Sequence, residues 1–598
     1  MRTISGPFAP KSECEPPVSV DGRNLSDGTE DTFQADRTRT SSDDAALWRR
    51  FRGIAGEDAR VSTLQKLKLT GHGPDTFSLH LENLLPPDDR RGEALMRDVW
   101  RIGQQRIVLQ PGQSPWSIEM PSRHFADRVH RFGWIADVMA QGEAGTARAI
   151  ALVDDWVAKF GKFHGFAWRL EPTASRCWNW LRCGPDLLEA GDEAARHARI
   201  DALARQLRYI QETITSAHDP KSRWLGAVVL VAKSLCLRAG AGLGEALDRL
   251  EAETTAQILP DGGHVSRSPA HVLASLIHLQ TLSRALDKAG RPQPDWMEKW
   301  IPRLGAMLAF FQTGDGALNT FNDGDESRAE VVSAALARLP APPRKFMFAP
   351  KSGFQKVEKG SIRLVLDCGE APPRPFGDHA RAGALGFELS DGTARIVTSC
   401  GFSPEVNVDW QAAVRRTSAH STLILAGRDS AAFELNDATR LRALIGPEGI
   451  AAKRLEEANE IWLDAQHAGY KAAYGLLHRR RIFVSGEGDR LTGEDSLVRP
   501  VAQAEAEEKK PIPFDIRFHL HPTVTAMMGK DAIRLMLDNG HVWRFRTSHE
   551  GARLERTVYL ARGIVEQPEQ IVLSGFADPN GDGSQPPNCV RWAFIRES

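Results

Sequence analysis

The chain has 598 residues, 41% of them hydrophobic, which is enough for two or more domains with cores of their own. Its 76 basic and 77 acidic residues give a net charge of −1, which argues against nucleic-acid binding driven by overall positive charge. The apolar run Leu225–Leu237 contains Lys233 and is shorter than the roughly 18 residues of a membrane span. We therefore expect no nucleic-acid partner and no transmembrane segment.

The seven cysteines are scattered along the chain and show no CxxC spacing. Zinc knuckles and disulfide frameworks both depend on regular cysteine spacing or pairing, so the sequence predicts neither. We expect most of these thiols to be buried as small apolar side chains.

The first 44 residues are rich in Ser, Thr, Pro, Asp and Gly and lack the basic-then-apolar layout of a secretory signal. This composition predicts a disordered N-terminal tail over residues 1–44, because it offers little apolar surface to bury. The sequence itself indicates no export route.

Residues 45–339 are predicted to be helical, because apolar residues recur there with a period near 3.6. The clearest helical segments are Ala147–Phe160, Glu193–Ser216, Arg223–Ala239, Ala270–Ala289 and Trp296–Phe311. Three prolines within Pro340–Pro343 then predict a stiff linker over residues 340–348. From residue 349 to 598 short alternating runs such as Arg481–Ser485 predict an antiparallel β domain.

Two stretches of the β domain place a histidine just before an apolar strand. His379 precedes the alternation that ends at Ser390, and His420 precedes the run Ser421–Leu425. Histidine titrates near neutral pH, so His379 is a candidate for proton transfer.

These two stretches, together with Leu259–Pro269 and Gly316–Glu326, resemble the heparinase II/III-like family of polysaccharide lyases. The resemblance implies an incomplete (α/α) toroid followed by an antiparallel β-sandwich. It also implies β-elimination on an acidic, uronate-containing polysaccharide, and work at the cell envelope or in the periplasm. Because no signal peptide is visible, a cytoplasmic location stays open.

The resemblance assigns the catalytic positions. In the family's His-x-His-Ala pattern the first histidine, near the proton-transfer centre, matches His379. The family's Ser-Pro-x-Tyr pattern places its catalytic tyrosine at His271, in Ser268–His271. We expect His379 and His271 to transfer protons, with an ordinary interfacial histidine as the alternative for His271.

Zinc-bearing members of the family supply ligands at three positions that match Arg381, Ser399 and His420 here. Guanidinium is not a zinc ligand, and one histidine with a serine is too small a set, so we predict no metal and no cofactor. Arg381 is expected to supply a fixed positive charge that meets Glu388 or a substrate uronate, and a plain salt bridge is the alternative.

Other basic, aromatic and amide side chains near these motifs are candidates for substrate binding, because guanidinium groups pair with carboxylates and indoles stack on sugar faces. The predicted substrate-binding residues are Arg381, Arg267, His264, Trp178, Asn179, Arg182, Arg416 and His420. Trp178 and Trp180 point to different sides of a helix, so at most one is expected in the cleft.

The leading hypothesis is a lyase for an acidic polysaccharide. The alternative is a non-catalytic glycan-binding or cell-envelope protein on the same scaffold, suggested by the missing tyrosine and the altered metal positions. A third, hydrolysis, needs two suitably spaced carboxylates, and Asp154, Asp155, Asp261 and Glu326 show no special spacing. Asn322–Glu326 lacks the EF-hand spacing and is predicted to be a loop joining domains.

Overall fold

The computed structural model describes residues 32–33, 68–70, 73, 77–237, 241–435, 442–500 and 510–597. The predicted disordered tail over residues 1–44 lies outside the described residues, apart from Thr32 and Phe33. Within the described ranges the structure contains no helix with the length and apolar character of a membrane span.

The first part of the chain is helical. Its helices are α1 (Asp89–Met96), α2 (Arg123–His130), α3 (Ile135–Met139), α4 (Gly142–Phe160), α5 (Leu170–Cys183), α6 (Pro185–Leu188), α7 (Glu193–Thr213), α8 (Pro220–Leu237), α9 (Leu243–Gln257), α10 (Pro269–Lys288), α11 (Asp295–Phe311) and α12 (Ala329–Ala337). A small sheet of β1 (Thr32–Phe33), β3 (Gln105–Val108) and β2 (Val99–Ile102) lies beside them.

Helix α8 runs through the middle of this part and packs against α5, α7, α9 and α10. Most of its side chains are buried, which explains why its sequence is apolar on nearly every side. Proline at the first position of α8 and of α10 suits a helix start, because the first-turn N–H groups have no partner within the helix.

The second part consists of antiparallel strands. They are β4 (Phe348–Ala349), β5 (Phe354–Lys359), β6 (Ile362–Asp367), β7 (Phe387–Asp391), β8 (Ala394–Thr398), β9 (Leu423–Leu425), β10 (Ala432–Leu435), β11 (Arg442–Ile445), β12 (Ala451–Glu457), β13 (Glu460–His467), β14 (Leu477–Val484), β15 (Arg490–Val498), β16 (Ile512–Leu520), β17 (Thr525–Met528), β18 (Ile533–Met536), β19 (Val542–Thr547), β20 (Arg553–Arg556), β21 (Tyr559–Ala561), β22 (Ile564–Glu566), β23 (Glu569–Ala577) and β24 (Cys589–Arg596). Two short helices, α13 (Val408–Ala413) and α14 (Lys471–Tyr474), interrupt them.

Two large sheets share one apolar core. One has the order β20-β23-β16-β8-β7-β6-β5-β4, with β9 also paired to β16, and the other has the order β12-β13-β14-β15-β24-β19-β18-β17. Phe387 of the first sheet stacks on Trp592 of the second, with ring centroids 5.6 Å apart. The alternating buried and exposed residues of β13 and β14 place their apolar side chains in this core, as expected for a sandwich.

A buried polar cluster joins the two sheets. Arg480 donates from Nε and Nη2 to Asp495 at 2.8 and 2.9 Å, and from Nη1 to the carbonyls of Leu385 and Ser421. Trp592 donates to the same carboxylate. Because every polar group at this point finds a partner, the cluster fixes the register of the sheets without leaving a buried charge unpaired.

The segment between α11 and α12, residues 312–328, connects the helical part to the sandwich. Asn319 donates to Glu388 of β7 at 2.8 Å, and Tyr559 of β21 donates to Glu326 at 2.6 Å. Arg395 of β8 pairs with Asp315 at 2.8 Å. The loop Asn322–Glu326, predicted to join domains, lies in this junction segment.

Candidate functional site

The first group of residues of the candidate site comes from the turn that leads into α10. His271 lies in the first turn of that helix, and its Nδ1 is 2.8 Å from Ser266 Oγ. Ser266 Oγ is also 2.7 Å from His264 Nδ1, and His264 Nε2 is 3.3 Å from Gln257 Oε1. This chain of hydrogen bonds fixes the orientation of the His271 ring.

An acid and a base from two other segments meet His271. Asp323 Oδ2 lies 3.4 Å from His271 Nε2, and Lys221 Nζ donates to the same oxygen at 2.6 Å. Asp323 belongs to the junction segment and Lys221 to the first turn of α8. Burial raises the pKa of Asp323, but Lys221 and, when they are protonated, His271 and His379 hold it well below its usual value.

A second group of residues comes from the sandwich. His379 ends a short 3₁₀ helix, Phe376–His379, and its side chain is exposed to solvent. The charges of Lys221 and Asp323 act on its titration, and its own charge acts on that of His271. Phe376 contacts the His264 ring, with centroids 5.9 Å apart. The two predicted catalytic histidines therefore come from different parts of the fold, and an electrostatic influence of His379 on His271 links them.

Both histidines are neutral at physiological pH. Burial lowers the pKa of His271 to about 4, and the protein around His379, whose side chain is exposed, lowers the pKa of that ring as well. Lys221 adds to the lowering at both rings, while Asp323 opposes it. A neutral imidazole can accept a proton, which is the property that a general base needs.

Charged side chains of both signs surround the two histidines. Asp219 acts on the titration of both rings, and Arg415 of the sandwich acts on that of His379. Arg131 forms ion pairs with Asp127 at 2.6 Å and with Glu171 at 2.8 Å. The site can therefore meet a carboxylate with a nearby cation, and Lys221 is the cation closest to His271.

Two predicted substrate-binding residues lie outside this group. Arg267 is buried where the helical part meets the sandwich, and protein groups surround its guanidinium, including the carboxylate of Asp367. Arg416 is largely exposed and pairs with Asp429 at 2.5 Å. Predicted residue His264 is buried behind His271, and its pKa is held well below the usual value by burial and by His271.

Three more predicted binding residues cluster on α5. Trp178 is buried in the helical core against His278, with ring centroids 5.1 Å apart, and Trp180 is buried as well. Asn179 donates to the carbonyl of Arg131 at 3.0 Å, and Arg182 donates to Asn179 Oδ1 at 3.4 Å.

The positions that match the family's metal ligands do converge. Arg381, Ser399 and His420 line one buried cavity of about 10 Å³, together with Glu388. Arg381 carries its charge into that cavity, so the residues present do not fit a metal ion. Within the described ranges, no group of three or more His, Cys, Asp or Glu side chains is arranged to hold one.

Two residues of the site were missed from the sequence. Lys221 follows the Asp219–Pro220 start of α8, and Asp323 stands in the segment interpreted as a connecting loop. For Asp323 the sequence shows an acidic loop between two helices, which could have indicated a functional residue. For Lys221 the sequence offers only a lysine in the first helical turn, where basic residues are not favoured by the helix dipole.

Comparison with known proteins agrees with this architecture. The model of the C-terminal domain of heparinase II/III-like proteins matches residues 341–593. FtsZ-localized protein C of Caulobacter vibrioides (strain NA1000 / CB15N) is 33% identical over 569 residues, which cover 92% of this chain and 96% of that protein.

Solved structures show the same fold. The crystal structure of heparinase III superposes with a TM-score of 0.65 at 13% identity, over 89% of this chain and 88% of that one. Heparan sulfate lyase HepC from Pedobacter heparinus gives a TM-score of 0.53 at 13% identity, over 89% and 87% of the two chains. The predicted fold class, a helical toroid followed by an antiparallel β-sandwich, is confirmed, and the chain belongs to the heparinase II/III-like family.

Proposed function

We propose that this protein cleaves an acidic, uronate-containing polysaccharide by β-elimination in the cleft that holds His271 and His379. The observation that carries the proposal is the contact of His271 with the Lys221 and Asp323 pair, whose charges also act on the titration of His379 from the other part of the fold. The helical part supplies His271 and Lys221 and the sandwich supplies His379, so we propose that a chain-like substrate binds between the two parts.

The reaction breaks the C5–H and C4–O bonds of the uronate, forms a C4–C5 double bond, and moves one proton from C5 to the leaving glycosidic oxygen. His379 accepts the C5 proton, because its ring is neutral and open to solvent. The imidazolium formed has a low pKa, so it readily gives the proton to the leaving oxygen. Neither step needs an oxidant or a metal ion.

The other groups prepare the substrate for this proton transfer. Lys221 is half-exposed and offers its ammonium group to the uronate carboxylate, which lowers the cost of the negative charge that develops at C5. His271, whose ring nitrogens face Ser266 and Asp323, is proposed to position the sugar beside the group that transfers the proton. Asn179 and Arg182, beside Arg131, are proposed to contact more distant sugars.

The test is the growth of ultraviolet absorbance from the unsaturated uronate product, measured on heparan, alginate, hyaluronan, chondroitin and bacterial exopolysaccharides. We expect His379→Ala to lower the rate on the active substrate by about 100-fold or more, as loss of a general base does. His197→Ala, on the half-buried face of α7 and remote in sequence from the cleft motifs, serves as the control and should retain the rate. An active protein whose rate is unchanged by His379→Ala would contradict the assignment.

A second candidate is a non-catalytic protein on the same scaffold. It is favoured by His271 at the position of the family tyrosine, and by the relative that covers 92% of this chain and is named for localization with FtsZ. This candidate predicts no absorbance growth on any glycan, retention on an acidic glycan column, and co-sedimentation with FtsZ polymers. The lyase proposal includes a cell-envelope location, whereas association with FtsZ would place the protein on the cytoplasmic side.

A further inference from the structure

The cavity behind the cleft is built around a single buried cation. Arg381 is 5% exposed, and its Nη1 donates to the carbonyl of Gly401 at 2.9 Å and to that of Thr320 at 3.3 Å. Its guanidinium lies over the ring of Phe402, 4.9 Å from the centroid. Gly401 belongs to the sandwich and Thr320 to the junction segment, so one side chain joins the two parts of the fold.

Acidic and polar groups complete the surroundings of Arg381. Glu388 accepts from Asn319 at 2.8 Å and from the hydroxyl of Thr320 at 2.6 Å, and its charge and that of Asp323 favour the charged guanidinium. Burial lowers the pKa of Arg381 to about 10, which leaves it protonated at neutral pH. The cavity therefore contains a permanent positive charge.

The family's ligand positions show what this charge replaces. Ser399 and His420 line the same cavity as Arg381, and Ser399 Oγ lies 3.3 Å from Thr320 Oγ1. Within the described part of the chain, Arg381 Nη2 and His420 Nε2 have no hydrogen-bond partner. Nε2 of His420 is thus not bound by another protein group. A metal ion cannot bind there either, because the guanidinium of Arg381 lines the same cavity.

We propose that Arg381 takes the place of a metal ion in this protein and fixes the candidate cleft without one. Its backbone N–H donates to Asn322 Oδ1 at 3.3 Å, and Asn322 is the neighbour of Asp323. Arg381 is also two residues from His379. One buried cation therefore positions both the segment that carries Asp323 and the loop that carries His379, and this holds whether or not the cleft cleaves a glycan.

The first test compares metal content and thermal unfolding of the wild-type protein. We expect purified protein to contain well under one equivalent of metal, and EDTA or added Zn²⁺ to change its melting temperature by less than about 1 °C, because binding of a ligand to the folded state would raise it. One equivalent of bound metal, together with a drop of about 5 °C or more in EDTA, would overturn the proposal.

The second test rebuilds a metal site. Arg381→His with Ser399→Asp would place two new ligands beside His420, so Zn²⁺ is expected to raise the melting temperature of the double variant by at least about 5 °C. Arg416→His, on an exposed arginine of the same sandwich, is the matched control and should not respond. If the double variant folds but its melting temperature does not respond to Zn²⁺, then residues 381, 399 and 420 do not lie around one common point, and the proposal is contradicted.

A third comparison applies where the double variant does not fold. Arg381→Lys keeps a positive charge and Arg381→Met removes it at similar length, so the lysine variant is expected to keep the higher melting temperature. Equal losses in the two variants would show that the charge is not what holds the junction, and would overturn the proposal.

Discussion

Replacing Arg267 with methionine should destabilise the protein more than any exposed ion pair would predict. Arg267 is 8% exposed and lies at the junction, with φ of +61°. Its Nε donates to the carbonyl of Ser352 at 2.9 Å and its Nη1 to that of Glu370 at 3.2 Å. Its Nη2 pairs with Asp367, which is also buried, and its guanidinium lies 4.7 Å from the ring centroid of Phe354.

The size of the effect follows from what Arg267→Met leaves behind. Asp367 would remain buried without its cation, and breaking a buried pair on one side costs about 3–5 kcal/mol. Burial already raises the pKa of Asp367, and Arg267 opposes that rise, so the carboxyl would respond by taking up a proton. Adding Asp367→Asn removes the orphaned charge, so the double variant should lose less than the sum of the two single losses.

The assay is urea unfolding monitored by circular dichroism. The midpoint urea concentrations are compared, provided that the dependence of the unfolding free energy on urea concentration is the same in each variant. Arg284→Met is the matched control, because Arg284 forms an exposed pair with Glu82 at 3.0 Å and such pairs contribute about 0–1 kcal/mol. A loss below about 1 kcal/mol for Arg267→Met, or strictly additive losses in the double variant, would refute the reasoning.

Three further predictions test the cleft and the core. The pKa of His379 is lowered to about 4. If His379 is the base, kcat/KM should therefore stay level from pH 8 to about pH 5 and fall below pH 4, where the ring gains a proton. A fall centred near pH 6.5 would contradict this. Burial lowers the pKa of His278 to about 3 in the folded protein. Between pH 6.5 and 3 the unfolded chain therefore binds a proton at His278 that the folded protein does not, and stability decreases as the pH is lowered. Replacing His278 with Leu should flatten the slope of unfolding free energy against pH by up to ~1.4 kcal/mol per unit in that window, measured by urea unfolding at several pH values; an unchanged slope would count against the shift. Gly493→Ala would place a Cβ 2.1 Å from the ring of Trp592 and should cost about 1–3 kcal/mol by urea unfolding, unlike Gly244→Ala, which meets no atom within 4 Å.

The sequence by itself predicted a helical part followed by an antiparallel β part, although it gave no sign of strands β2 and β3 within the range predicted to be helical. Strict alternation records which side of a strand is buried, and a long apolar run marks a buried helix, so strands β13 and β14 and helix α8 could be recognised locally. The last helix of the first part, α12, ends at Ala337 and β4 begins at Phe348, on either side of the proline-rich stretch that was predicted as a linker. The resemblance also indicated His379 and His271, because their motifs are short and contiguous.

Only the tertiary structure decided which charged groups meet. Lys221 and Asp323 are 102 residues apart, and Arg267 and Asp367 are 100 residues apart, yet each pair is in direct contact. Nothing in a local pattern states which loop packs against which helix, so a lysine in a first helical turn gives no sign of its carboxylate partner. The same holds for Arg267, which composition suggested as a ligand for substrate and which the junction surrounds with protein groups. Ion-pair partners depend on how the elements are placed relative to one another, and that placement results from burial of apolar surface over the whole chain.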